Sequence, residues 1–192
     1  MATPESLAMV ELCSIARGYR VVDSLVKRAP VQVIEANRVE PGRFLILFGG
    51  GVAEVEEAFV AAMEAAGDTV VDKMLLPMVH ESIIPAFSSR VGLDDPDTVG
   101  VLEGSMISTA LVAADAAVKN ADVELCGLRV TPAMGGKLLF VLHGVQHDVE
   151  VAIEVAEGVM GDSLVGSECI AMPHPEFLEF ALRAAPFEIG RS

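Results

Sequence analysis

Asp23-Ser24-Leu25-Val26-Lys27-Arg28-Ala29-Pro30-Val31 returns 92 residues later as Asp115-Ala116-Ala117-Val118-Lys119-Asn120-Ala121-Asp122-Val123. Asp, Val, Lys, Ala and Val keep their places. The match extends upstream at the same spacing, from Met9-Val10-Glu11 to Val101-Leu102-Glu103. Downstream the spacing becomes 94: Gly50, Val55-Glu56, Ala58, Ala62 and Gly67 pair with Gly144, Val149-Glu150, Ala152, Ala156 and Gly161. Met78 and His80 likewise pair with Met172 and His174. Two extra residues therefore sit between the matched blocks, and Thr131 to Gly136 is the expected place. Two long copies do not make a solenoid, which stacks many short units. The chain reads as a tandem duplication, with a first domain at 1–90, a linker at 91–98 and a second domain at 99–192.

Each copy carries the same succession of patterns. In the first, Leu7 to Ile15 reads as a strand and Ala16 to Ala29 as a helix with Val22, Leu25, Val26 and Ala29 at helical spacing. Pro30 stops that helix. Val31 to Val39 and Phe44 to Phe48 read as strands joined by the turn Glu40-Pro41-Gly42-Arg43. Gly49-Gly50-Gly51 opens a helix over Val52 to Ala66, which Gly67 ends. Val70 to Pro77 reads as a fourth strand and His80 to Phe87 as a short helical tail. The order β-α-β-β-α-β-α predicts an α+β, ferredoxin-like domain, an antiparallel sheet with helices on one face. The other face then has to meet solvent or a neighbouring subunit.

Composition narrows the function classes. The 192 residues are 52% hydrophobic and 21% charged, enough apolar material for a packed core. With 13 basic against 28 acidic residues the net charge is −15. That opposes nucleic-acid binding, which needs a positive surface, and docking on anionic membranes. No apolar run reaches the ~18 to 20 residues of a membrane span, and the start, Met1-Ala2-Thr3-Pro4-Glu5, has no basic flank or signal core. A cytoplasmic protein is expected. The three cysteines, Cys13, Cys126 and Cys169, form no C-x-x-C pair and read as core residues within strands.

With these residues in place, the chain resembles the bacterial microcompartment (BMC) shell proteins, in their unpermuted tandem-domain class. The resemblance rests on the opening M-V-E, the D-x-x-V-K-x-A-x-V stretch, the Pro-Gly turn between two strands, the Gly-Val start of the second helix and the closing Pro-His. It covers about Leu7 to Phe87 and Val99 to Leu182. It implies a homotrimer that mimics a hexamer and tiles edge to edge with other shell proteins around encapsulated enzymes. A central pore would pass small metabolites. The implied place is the microcompartment shell in the cytoplasm, and the implied role is structural, not enzymatic.

The resemblance also assigns residues. Glu40, Pro41, Gly42 and Arg43 would line the pore, a stiff loop whose three Glu40 carboxylates would approach one axis and repel one another. The second loop, with Pro132, Ala133, Met134, Gly135 and Gly136, is longer and Gly-rich, and so a candidate gate. Taken alone, both are ordinary hairpin turns. Lys27, Lys119, His80 and His174 would contact the neighbouring tile, although a lysine late in a helix is also an ordinary partner for the helix dipole. The family's arginine beside the closing histidine is absent. No cofactor is called for: a pore-bound iron–sulfur cluster, the mark of an electron-transfer shell protein, would need a cysteine in a pore loop, and neither loop has one. Gly49-Gly50-Gly51-Val52 lacks the Gly-Lys-Ser/Thr of a phosphate loop. His143 and His147 have the spacing of a metal pair on a helix, but the Gly144 between them argues for a strand end instead. The alternative functions are an electron-transfer shell protein with a pore-bound iron–sulfur cluster and a trimeric small-molecule sensor or binding protein. The sensor would need a basic cluster at a cleft, and the sequence has few basic residues.

Overall fold

The computed structural model of the chain describes residues 4–88, 96–131 and 137–181. The expected linker (91–98) and second loop (Pro132 to Gly136) lie largely outside them. Two compact units divide after Val79. The first contains β1 (Ser6–Leu12), α1 (Ile15–Arg28), β2 (Gln32–Val39), β3 (Arg43–Gly50), α2 (Val52–Ala66) and β4 (Val70–Pro77). The short helix α3 (Ile83–Ser88) follows β4 in sequence but belongs to the second unit and packs on its β6. That unit continues as β5 (Thr98–Gly104), α4 (Ile107–Asn120), β6 (Glu124–Thr131), β7 (Lys137–Gly144), α5 (Gln146–Met160), β8 (Leu164–Ala171) and α6 (Pro175–Ala181).

Both sheets are wholly antiparallel, in the order β2-β3-β1-β4 and β6-β7-β5-β8. This is the ferredoxin-like topology expected. The duplication reaches the irregularities. A break in register between Val33 and Glu35 recurs between Leu125 and Gly127, and one between Glu11 and Leu12 recurs between Glu103 and Gly104. The strands on either side of the two hairpin loops have equal length, so the extra pair of residues sits in the second loop itself.

The local chemistry explains most element ends. The β1 strand stops at Leu12, earlier than the expected Ile15. The Ser14 side chain accepts the Arg17 N–H at 3.3 Å and starts α1 at Ile15. Gly67 and Gly161 end α2 and α5 with φ of +56° and +47°, a region that side chains other than glycine's rarely enter. Ala8, Val10 and Leu12 of β1 and Phe44, Ile46 and Phe48 of β3 face the helices. They meet Val21 and Leu25 of α1 and Val55, Ala58, Ala62 and Ala66 of α2. The alanine stripe lets α2 lie close to its neighbours.

Gly18, buried in α1, marks the tightest approach. A Cβ there would run into the Phe44 side chain, with its Cβ only 2.9 Å away. Gly158 in α5 has nothing within 4 Å of the same position. Alanine exceeds glycine in helix propensity by about 1 kcal/mol, whereas forcing a buried ring aside costs about 1–3 kcal/mol. Gly18→Ala should therefore lower stability and Gly158→Ala raise it by up to ~1 kcal/mol. Urea unfolding of the two variants checks this, and equal shifts of one sign would contradict the packing.

Candidate functional site

The β2–β3 loop is Glu40-Pro41-Gly42, and all three residues are exposed. The Glu40–Pro41 peptide is cis and Gly42 has φ +77°, so the turn needs glycine there. Val39, just before it, is buried. Arg43 opens β3 and is tied to the sheet: its Nη1 donates to Glu11 Oε1 at 3.1 Å. Of the four residues expected at the loop, three stand free at the tip and the fourth anchors it.

Glu11 lies on the central strand β1, opposite Asp72 of β4, and its side chain is 4% exposed. Asp72 is buried too and accepts the Lys73 N–H at 2.8 Å. Two carboxylates directly opposite on a sheet repel, and the Arg43 charge offsets that. The second unit repeats the pair in looser form. Lys137, at the start of β7, reaches Glu103 of β5 at 2.7 Å, both side chains about a third exposed. A basic residue at the foot of each hairpin thus grips an acid on the central strand. Spacing alone did not single out Glu11, although the M-V-E repeat contained it.

The four edge candidates separate into two settings. Lys27 pairs with Asp23 at 2.6 Å on the surface of α1. Lys119 pairs with Asp115 at 2.5 Å, and here the aspartate is buried. The other Asp115 oxygen accepts the His80 backbone N–H at 2.7 Å. His80 and Lys119 therefore converge on one carboxylate. Each histidine caps its own short turn through Nδ1, which accepts the N–H of Ser82 at 3.3 Å and of Glu176 at 3.2 Å.

Other candidates fall apart in space. His143 ends β7 and His147 starts α5, so they share no helix face. His143 Nε2 is buried, and the Glu124 carboxylate at 3.5 Å is too far for a well-formed hydrogen bond. Cys126 is buried in β6, and burial together with the Glu124 charge pushes its thiol up to about 12. Cys13 and Cys169 are exposed, not core as expected. Cys13 falls after the early end of β1, and Cys169 lies on β8, an edge strand. Burial also raises the Glu35 carboxyl on β2, against a lowering hydrogen bond from the Ala36 N–H.

Two copies of one ferredoxin-like domain, each with a hairpin whose foot is tied to its central strand by an ion pair, define a duplicated α+β protein. The BMC domain family matches residues 6–79 and 98–173, one match per unit. The chain belongs to this family, as a tandem-domain bacterial microcompartment shell protein. It is 34% identical over 172 residues to the bacterial microcompartment shell protein PduT of Citrobacter freundii, covering 88% of this chain and 94% of that protein. The crystal structure of a microcompartment protein from Desulfitobacterium hafniense superposes with a TM-score of 0.84 at 32% identity, covering 91% of this chain and 98% of the other. A fused permuted hexameric shell protein from the RMM microcompartment gives 0.58 at 24% identity, with 81% of each chain covered, and shares the fold.

The two anchoring pairs should differ in weight. Arg43→Ala leaves the buried Glu11 carboxylate unpaired and should cost about 2 kcal/mol, below the range of a fully buried pair because water reaches Arg43. Lys137→Ala should cost under about 1 kcal/mol, as exposed pairs do. Thermal or urea unfolding of both variants reads the difference, and an equal cost would mean that burial of Glu11 is not what matters.

Proposed function

We propose that three copies of this chain close head to tail into a pseudohexameric tile of a microcompartment shell, with the hairpin loops around a central pore. The family membership supports the tile. The observation that carries the pore is the exposed Glu40-Pro41-Gly42 tip, held by the Arg43–Glu11 pair and repeated in design by Lys137–Glu103. A metabolite pore needs a loop that reaches solvent yet keeps its shape, and this arrangement supplies both. Three Glu40 carboxylates around one axis would favour cations and neutral polar solutes over anions. The loop through Pro132, Ala133, Met134, Gly135 and Gly136 is the alternate pore segment.

In this reading the chain is a structural and transport subunit, not an enzyme, and it sits in the shell within the cytoplasm. Its partners are two further copies, other shell proteins along the tile edge, and the enzymes enclosed. Lys27 presents an ammonium at the surface beside Asp23 and is the better placed edge contact. Lys119 still reaches solvent from its buried aspartate and can serve the second edge.

Native mass spectrometry should give three times the 20.2 kDa chain mass. A monomer or dimer at micromolar concentration would sink the reading. The pore has its own test. Glu40→Cys should link neighbouring chains through a short bismaleimide, above the background from Cys13 and Cys169. A trimer in which this variant links no more than the parent would put the loop away from the axis.

A further inference from the structure

The duplication places equivalent side chains in two different settings, and the difference is directional. Leu111, Asp115 and Val118 form one buried stripe of α4. Their equivalents on α1, Tyr19, Asp23 and Val26, are all exposed. Leu111 is 0% exposed against 64% for Tyr19, and the Asp115 side chain 5% against 58% for Asp23. The neighbouring strand behaves alike: Cys126 of β6 is buried, and its equivalent Ile34 of β2 is only half-buried.

In the second unit the polar end of this surface is occupied by the segment after β4. There the His80 N–H donates to Asp115, and α3 packs on β6 with Ile83 fully buried. The segment after β8 is built for the same act. Met78 and Met172 both take positive φ, +53° and +47°, so the two chains leave their sheets through the same kink. His174 then repeats the Nδ1 cap of His80. Phe177, equivalent to Ile83, is still half-exposed. Among the described residues, the segment from His174 into α6 is a plug without its full socket, and the face of α1 with Asp23 is a socket without a plug.

We infer that these two belong together across copies: the His174 backbone N–H of one chain donates to Asp23 of the next, and α6 seats beside its β2. The inference rests on the closed-ring reading and names the contact that closes it. A second copy is the occupant because the chain itself carries a plug of the geometry already seated once in its own second unit. A head-to-tail contact of this kind closes a ring when repeated. Lys27 keeps its pairing through the other Asp23 oxygen, as Lys119 does at Asp115, so its ammonium stays available at the rim.

Subunit exchange between isotope-labelled and unlabelled wild-type protein, followed by native mass spectrometry, tests this. Asp23→Ala should exchange about tenfold faster or more, the weight of one hydrogen bond to a charged group. Asp115→Ala makes the same chemical change inside the chain and should exchange within about twofold of wild type. A trimeric wild type whose Asp23→Ala variant exchanges at the parental rate would overturn the contact and leave the ring standing. Equal acceleration by both variants would overturn it too, since the effect would then be general loosening. A wild-type protein that never forms a trimer would remove ring and contact together.

Discussion

A four-stranded sheet has two faces, and the two helices of its own domain can cover only one. Everything else in this molecule follows from how the second face is dealt with. The central strand β1 is buried along its whole length, with alanine, valine and leucine toward the helices and Leu7, Met9 and Glu11 on the other side. A lone domain of this kind would leave that second row in water. Burying a side chain of this size is worth about 1.5–3 kcal/mol, so the row strongly favours having a neighbour. In the second unit Leu178 of α6 packs against Val99, Cys126 and Val141 on this side, and α3 lies on β6. In the second unit, short helices thus help to close the second face.

The same constraint explains the charged pairs. Glu11 stands in the apolar row, and an unpaired carboxylate there would be expensive. Arg43 offsets it, and because Arg43 is the first residue after the loop, neutralising the acid also fixes the hairpin tip. One ion pair serves both the core and the loop. The looser Glu103–Lys137 pair anchors a loop that is longer by two residues, so the duplicated design leaves room for two unequal loops.

Much of this was legible in the sequence because it is periodic. Offsets of 92 and 94 revealed two domains, and the alternation and helix spacing revealed their element order. What was not legible depends on contacts between distant residues. The end of β1 hinged on the Ser14 side chain taking the Arg17 N–H, which apolar periodicity does not register. Cys13 and Cys169 looked like core because they fall in expected strands, yet one follows a strand end and the other lies on a sheet edge. Arg43 was grouped with the loop by adjacency, and only the fold shows its guanidinium on Glu11. The D-x-x-x-K spacing made Lys27 and Lys119 look alike, whereas their aspartates live in opposite environments.

That last difference bears on why a duplicated chain is useful at all. Identical domains in a ring must make identical contacts. In the proposed ring, fusing two domains would make every second contact intramolecular, where no loss of translational freedom opposes it. Such a contact tolerates a poor fit, and the one between chains does not. The residues follow this division. On α4 the stripe is Leu111 and Val118 around Asp115, buried within the chain; on α1 the larger, amphipathic Tyr19 stands where Leu111 would be. A tyrosine can rest in water while the chain is alone and bury most of its ring when a partner arrives. The stripe that is buried within the chain on α4 is thus left on α1 as a surface compatible with the free subunit, ready for the proposed neighbour.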